Sequence, residues 1–438
     1  MRKLTFTCLF LALLLTSLSQ VFAQNDEVLL LEIEGPVTPA MAEYFARGIR
    51  AAEAENVTAV IIQLDTPGGA IDITQDIVQT IRAARVPVIV FIAPRGAQAA
   101  SAGSIITIAA HAAGMAPETV IGAASPVGQD GAELDETLFR KITEDMKAQI
   151  RSLAARRGPE AVVLAEAMID EARAVHAEEA LAVGLIDAIA EDVPDLLRQL
   201  DGRTVIVADQ PVVLRTAEAG IRPYRLNFVE AALHALSNPV LVGILLAIGV
   251  QAILIEISNP GGWVAGFVGV LFLALALYGL GQLPANWFGL GLILVAFVLF
   301  LLEVKAPVHG ALAVTGILTM FAGFMVLFNS PGTPEFARMS VTSALLITLP
   351  TAVFFIFLVT MVVRGQRRKP LTGQQGLIGQ TGPVRKAIAA QPGLEEYMGM
   401  VFVQGELWRA EANDLIYEGE EVEVTAVNGF TLQVKRRV

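Results

Sequence analysis

Ser101 lies in Ala99-Ala100-Ser101-Ala102-Gly103-Ser104, a run of small residues that follows the apolar stretch Val88 to Ala93. A serine hydroxyl attacks a carbonyl only when a base takes its proton and amide N–H groups receive the developing oxyanion. The small neighbours leave room for a substrate backbone around Ser101. Upstream, Asp65-Thr66-Pro67-Gly68-Gly69 also follows an apolar stretch, Val60 to Leu64, and Gly68 and Gly69 can present backbone unobstructed by side chains. The expected oxyanion donors are the amides of Gly69 and Ala102, each worth about 3 kcal/mol of barrier.

A base must come from elsewhere in the chain. His111 is at the far end of the helix expected to leave Ser101, about 15 Å away at 1.5 Å per residue. His176 stands in a helix-start context, and His234 and His309 belong to a connector and to an apolar region. Lysine is the alternative, but its ordinary pKa of about 10.4 must fall before it can accept a proton. The lysines that follow Ser101 in this part of the chain are Lys141 and Lys147. Lys141 is expected to open a helix after a glycine-containing loop, where the positive helix end favours the neutral amine. Lys147, about 1.7 turns further on, is expected on a solvated face. Lys141 is the preferred base.

The elements that position these residues alternate. Short apolar strands (28–33, 60–64, 88–93) are separated by helical patterns (39–54, and Ile71, Ile73, Ile77, Val78, Ile81). Continuously apolar strands with helices between them imply a sheet buried on both faces, hence an α/β domain over residues 24–200. Active loops gather at the carboxyl ends of such strands, which is where both motifs fall. Residues 201–237 read as a connector with a strand-like Thr204 to Val207.

Of the 438 residues, 54% are hydrophobic and only 17% charged, and the formal net charge is −12. That acidity argues against a nucleic-acid surface. Cys8 is the sole cysteine, so neither a disulfide framework nor a thiolate metal site is expected, and no cofactor is implied. Residues 1–23 read as a signal peptide: Arg2 and Lys3, an apolar core Leu9 to Leu15, then Val21-Phe22-Ala23. An uncleaved anchor is the alternative. A spanning helix needs about 20 mostly apolar residues, and residues 238–364 hold five candidates: 239–257, 263–283, 286–302, 309–328 and 341–363. Gly266, Gly269, Gly289 and Gly291 can permit close helix contacts. With the first domain outside the cytoplasm, five spans leave the C-terminus inside, and the basic run 364–369 fits a cytoplasmic flank. The expected location is the plasma (inner) membrane. From 371 to 438 short strands and Asn428-Gly429, a hairpin signal, suggest an OB-type β-barrel. Trp408 and Phe430 are its expected core aromatics, and a protein-contact role is favoured over nucleic-acid binding.

In this order of segments the chain resembles the long form of the NfeD family, which joins a ClpP-class serine protease domain to a membrane region and an OB-type domain. Asp65-Thr66-Pro67-Gly68-Gly69 resembles the family's oxyanion loop, Ala100-Ser101-Ala102-Gly103 its nucleophile turn and Lys141-Ile142-Thr143 the segment that supplies its lysine. Where ClpP carries its triad histidine, this chain reads Gly122-Ala123-Ala124-Ser125-Pro126, which favours a Ser-Lys dyad as in signal peptide peptidase A. The resemblance implies a ClpP/crotonase-like α/β domain, an all-α transmembrane bundle and the barrel. It further implies an ATP-independent endopeptidase that cleaves apolar segments of stomatin-like membrane proteins, and a fold that commonly forms homo-oligomers. A catalytically silent scaffold organising stomatin- or flotillin-like partners is the competing reading. A crotonase-type acyl-CoA enzyme is disfavoured by the expected secretion and the Ser-Lys pair.

Overall fold

The fold comes from a computed structural model, which describes residues 25–126, 135–258, 261–305, 310–331, 333–366, 374–390 and 397–437. The expected signal peptide (1–23) lies outside them, as do most of the loop after Pro126 and much of the basic run after Arg364.

The N-terminal region alternates as the apolar pattern requires. In order come β1 (Asn25–Glu34), α1 (Pro39–Glu55), β2 (Val57–Asp65), α2 (Ile71–Ala83), β3 (Val88–Ile92), β4 (Gln98–Ala100) and α3 (Ala102–Ala109). There follow β5 (Ala112–Met115), β6 (Val120–Gly122), α4 (Glu136–Ala154), α5 (Pro159–Asp170), β7 (Ala174–His176), α6 (Ala177–Ala182), β8 (Ala188–Ile189) and α7 (Val193–Leu200). Successive side chains of a strand point to opposite faces. In β1, Leu29 and Leu31 join one buried cluster with Met41, Phe45 and Ile81, while Val28 and Leu30 join another with Leu196, Leu197 and Leu200. Both faces are thus covered, and the strands are apolar throughout rather than alternating.

Residues 201–237 are no loose connector. They form a hairpin, β9 (Thr204–Val207) and β10 (Gln210–Val213), then β11 (Gly220–Pro223) and α8 (Phe228–Ala235). Strand β11 pairs parallel with β1 and completes the sheet order β11-β1-β2-β3-β5-β8. Helix α8 is fixed to α1 by a two-pronged ion pair, Arg47 Nε to Glu230 Oε1 at 2.7 Å and Arg47 Nη2 to Glu230 Oε2 at 2.6 Å. Short, polar strands at a sheet edge carry little apolar periodicity, so the sequence pattern is faint there.

A second sheet, β4-β6-β7, lies at the end of β3. The stretch 115–124 contains the end of β5 and all of β6, which belong to the two different sheets.

Five apolar helices follow: α9 (Pro239–Ser258), α10 (Val264–Leu280), α11 (Trp287–Lys305), α12 (Ala311–Phe328) and α13 (Val341–Gln366). Three are long and apolar enough to cross a membrane, and two apolar helices are shorter. A Cβ at Gly269 would lie 2.9 Å from the carbonyl oxygen of Gly249, and one at Gly289 2.3 Å from the amide of Leu327, so these glycines set backbone-close contacts. Gly266 abuts the Glu256 side chain instead. Gly291 faces nothing within 4 Å, which corrects its expected packing role.

The C-terminal segment closes a five-stranded barrel of β12 (Thr381–Ala390), β13 (Tyr397–Val403), β14 (Glu406–Ala412), β15 (Glu421–Asn428) and β16 (Thr431–Arg436), in the order β12-β13-β14-β16-β15. All pairs are antiparallel except β14 with β16. Val384, Ile388, Val401, Val424 and Leu432 fill it. Trp408 packs against that core, but Phe430, expected inside, is 88% exposed because it occupies the tip between β15 and β16.

A candidate serine hydrolase site

Ser101 sits between β4 and α3 with φ +52° and ψ −115°. A residue with a side chain held in such a conformation costs on the order of 1–3 kcal/mol and persists only where its surroundings enforce it. Here they do. Ser101 N donates to the carbonyl of Gly122 (2.8 Å), and the N–H and Oγ of Ser104 donate to the carbonyl of Ser101 (3.1 and 2.7 Å). On the other side Thr66 N donates to Gln98 O (2.7 Å) and Ala100 N to Thr66 O (3.0 Å). The Ser101 turn is therefore stitched between β6 and the Asp65–Gly69 loop. Ser101 occupies the N-cap position of α3 without capping it, and its Oγ makes no hydrogen bond among the described residues.

Gly68 packs directly on this serine. A Cβ there would come within 2.6 Å of Ser101 Cβ and 3.1 Å of Oγ, and its φ of +116° also demands glycine. Its own amide donates to Thr66 Oγ1 (3.1 Å), so Gly68 serves by lacking a side chain and not as an oxyanion donor. The amides of Gly69 and Ala102 have no partner among the described residues. They are free to meet an oxyanion. Gly69, Ser101 and Ala102 line one shallow cleft, open to solvent, with apolar walls from Ile71, Val78, Ile105 and Met146 and the polar side chains of Gln75 and Gln149. Ile71 and Val78 read from sequence as core positions, and their helical spacing was the signal that could have marked a wall. Gln75 lies on the same stripe of α2, four residues after Ile71.

Lys141 is not brought to this cleft. It is exposed, makes no ion pair among the described residues and does not line the cavity. The expected helix start is also corrected: α4 begins at Glu136, capped by Asp135 Oδ2 accepting from Thr137 N (3.1 Å), so Lys141 stands more than a turn inside. The helix end therefore acts on Lys141 less than a first-turn position would. Farther along the same helix, Met146 lines the cleft and Ile150 is buried. Lys147, expected on a solvated face, is instead paired with Asp170 (2.5 Å) and Glu144 (3.5 Å). The Asp170 carboxylate holds it charged, above the ordinary lysine range, which removes it as a base.

His111, the histidine nearest in sequence after Ser101, stays out of the site. His111 is buried, and its Nδ1 accepts from Val88 N (3.0 Å). Burial, with the nearby Arg156, pushes its pKa down to about 3, so it is neutral at ordinary pH. Arg156 Nη2 in turn donates to the carbonyls of Ile108, Ala109 and Ala110 (3.0, 2.8 and 2.6 Å), closing the C-terminal end of the helix that Ser101 begins. Gly122 to Pro126 contains no titratable side chain, and Ser125 Oγ is spent on the carbonyl of Ile169 (2.5 Å).

Three family models match the chain in succession: the NfeD1b N-terminal domain over residues 27–208, the NfeD integral membrane domain over 240–361 and the NfeD-like C-terminal, partner-binding domain over 374–436. The chain belongs to the NfeD family. Its membrane domain and three sufficiently long apolar helices make it a membrane protein. Among NfeD relatives, the membrane-bound protease PH1510 of Pyrococcus horikoshii is 35% identical over 430 residues, 95% of each chain. The solved 1510-N membrane protease of that organism, specific for a stomatin homolog, is 32% identical over 47% of this chain and 96% of its own, with a TM-score of 0.40. ClpP1 from Listeria monocytogenes is 18% identical over 37% of this chain and 91% of its own, with a TM-score of 0.31.

Proposed function

We propose that this NfeD protein is a membrane-anchored, ATP-independent serine endopeptidase. Ser101 is the nucleophile, the amides of Gly69 and Ala102 bind the oxyanion, and Lys141 is the general base. The observation that carries the reading is the enforced backbone at Ser101: its positive φ leaves Oγ uncommitted beside two unpartnered amides. Attack of Oγ on a peptide carbonyl passes the hydroxyl proton to the neutral amine of Lys141, which then returns it to the leaving nitrogen. Water, deprotonated by the same amine, hydrolyses the acyl-enzyme. Since Lys141 is exposed in this structure, bound substrate must draw the first turns of α4 over the cleft.

The apolar cleft walls support apolar segments as substrates. The stomatin specificity of the 1510-N protease supports a stomatin-like membrane protein as substrate or partner. The protease domain lies outside the cytoplasm and the barrel inside. A reporter fused to the C-terminus tests that sidedness: activity of an exterior-only reporter overturns it.

Full-length protein in detergent, incubated with an apolar peptide, tests the chemistry. Ser101→Ala and Lys141→Ala are each expected to lower the cleavage that the parent performs by about 10²-fold or more. Cleavage by the variants at the parental rate overturns the dyad. A catalytically silent scaffold is the second reading, and the exposure of Lys141 is what favours it. It predicts no cleavage by the parent and retention of a stomatin-like partner by Ser101→Ala.

A further inference from the structure

The oxyanion loop is held from behind by the segment that leaves β1. Gly35 N donates to Asp65 O (2.9 Å), Val37 N donates to Gly68 O (2.8 Å), and Val37 forms a parallel bridge with Gly69. This segment is fixed in turn by one side chain distant in sequence. His234, on α8, places Nε2 2.8 Å from the carbonyl oxygen of Glu34 and Nδ1 3.2 Å from Thr38 Oγ1. A carbonyl only accepts, so Nε2 carries a proton and donates to Glu34 O, while Nδ1 pairs with the Thr38 hydroxyl, which can either donate or accept. Thr38 Oγ1 keeps a lone pair for Met41 N (3.3 Å) at the start of α1. The two ring nitrogens therefore clamp both ends of the segment Glu34–Thr38.

Helix α8 itself is anchored twice. The Arg47–Glu230 pair holds its start against the domain, and an Asn227–Glu230 capping box orders that first turn. Its end runs through Leu236 to Asn238 directly into α9, the first membrane helix, and Leu236 lies against Gly279 of α10. His234 is thus placed between the membrane anchor and the loop that carries the Gly69 amide.

We propose that His234 is a positioning residue for the hydrolysis: it ties the oxyanion loop, through Glu34–Thr38 and Val37, to the helix that enters the membrane. The inference rests on the reading of Ser101 as nucleophile. A shift of the Gly69 amide weakens stabilisation of the oxyanion more than binding of the ground state.

The test uses full-length protein in detergent and a fluorophosphonate, whose phosphoryl oxygen occupies the oxyanion site during attack by serine. His234→Ala is expected to lower the limiting labelling rate and the peptide kcat at least tenfold, with the probe's half-saturation and KM changed less than twofold. His234→Gln can both donate and accept, and is expected to restore both rates to within threefold. A merely structural histidine would lower the melting temperature or the active fraction and leave the limiting rate of the folded fraction alone. If His234→Ala does not fold, Thr38→Val removes the hydroxyl that Nδ1 meets and is read the same way. Rates within twofold of the parent, or a loss that glutamine does not restore, overturn the inference. A parent that is neither labelled nor active refutes the nucleophile instead, so the two failures are distinct.

Discussion

The two sides of the cleft are built differently. On the Ser101 side a strained residue is locked by its hydrogen bond to the Gly122 carbonyl, by those it accepts from Ser104 and by those between β4 and Thr66, over a helix whose residues are buried. On the α4 side Met146 and Ile150 are packed, but the turns before them carry Lys141 on the surface. Apolar burial fixes an element to the extent that its own residues contribute to it. Ser101 and the amides of Gly69 and Ala102, the proposed nucleophile and oxyanion donors, are therefore preorganised, whereas Lys141, the proposed proton acceptor, stands where packing does not specify its place. In the proposed mechanism the rigid side sets the stabilisation of the transition state, and the looser side decides when proton transfer can occur.

The contrast can be broken most severely at Ser101. Ser101→Ala is expected to lose at least about 10³-fold in peptide cleavage while binding peptide normally. Lys141→Ala should lose about 10²-fold with an unchanged melting temperature, since the lysine contributes no packing; Lys147→Ala should keep activity within threefold and lower the melting temperature only slightly, because its ion pair with Asp170 is at the surface. Equal losses from both lysines would erase the distinction drawn between them. Gly68→Ala drives a methyl group against Ser101 and should cost tenfold or more in kcat, assayed on protein shown to be folded.

Acid sharpens the comparison by loosening the far end of α3. His111 is neutral in the folded domain because burial and Arg156 push it down to about 3. In the unfolded chain its value is about 6.5. The unfolded state thus binds the extra proton between these values. Stability from this group is complete above about pH 6.5 and is lost as the pH falls towards 3, at no more than about 1.4 kcal/mol per pH unit. Melts at pH 7 and 5 should show the decline, and His111→Asn should flatten it. The smallest effect is expected from Ser101→Gly: it should be as inactive as Ser101→Ala but more stable by about 1 kcal/mol, because glycine relieves the positive φ.

Much of this was legible before any coordinates. Val88 to Ala93 and Val60 to Leu64 announced buried strands, and the small-residue and Gly-Gly turns after them announced a shared site, because strand ends in an α/β sheet gather. The edge strand β11 and helix α8 were not legible: β11 is four residues, none of them buried, and in α8 the apolar Phe228 and Val229 face outward while the charged Glu230 is the buried one. The Lys147 ion pair was hidden because Asp170 lies on a different helix. Phe430 shows the converse. An aromatic beside Asn428-Gly429 looks like core by type, yet the hairpin register puts it at the tip.

The sequence by itself determined the membrane helices, the α/β alternation and the small-residue and glycine turns at the strand ends, since burial periodicity and backbone sterics are local properties. Only the tertiary structure decided that Gly68 gives space and not an amide, that Lys147 is spent, and that His234 reaches back to Glu34 and Thr38. Those outcomes depend on which distant carbonyls and carboxylates come within hydrogen-bonding distance, and chain order does not encode that spacing.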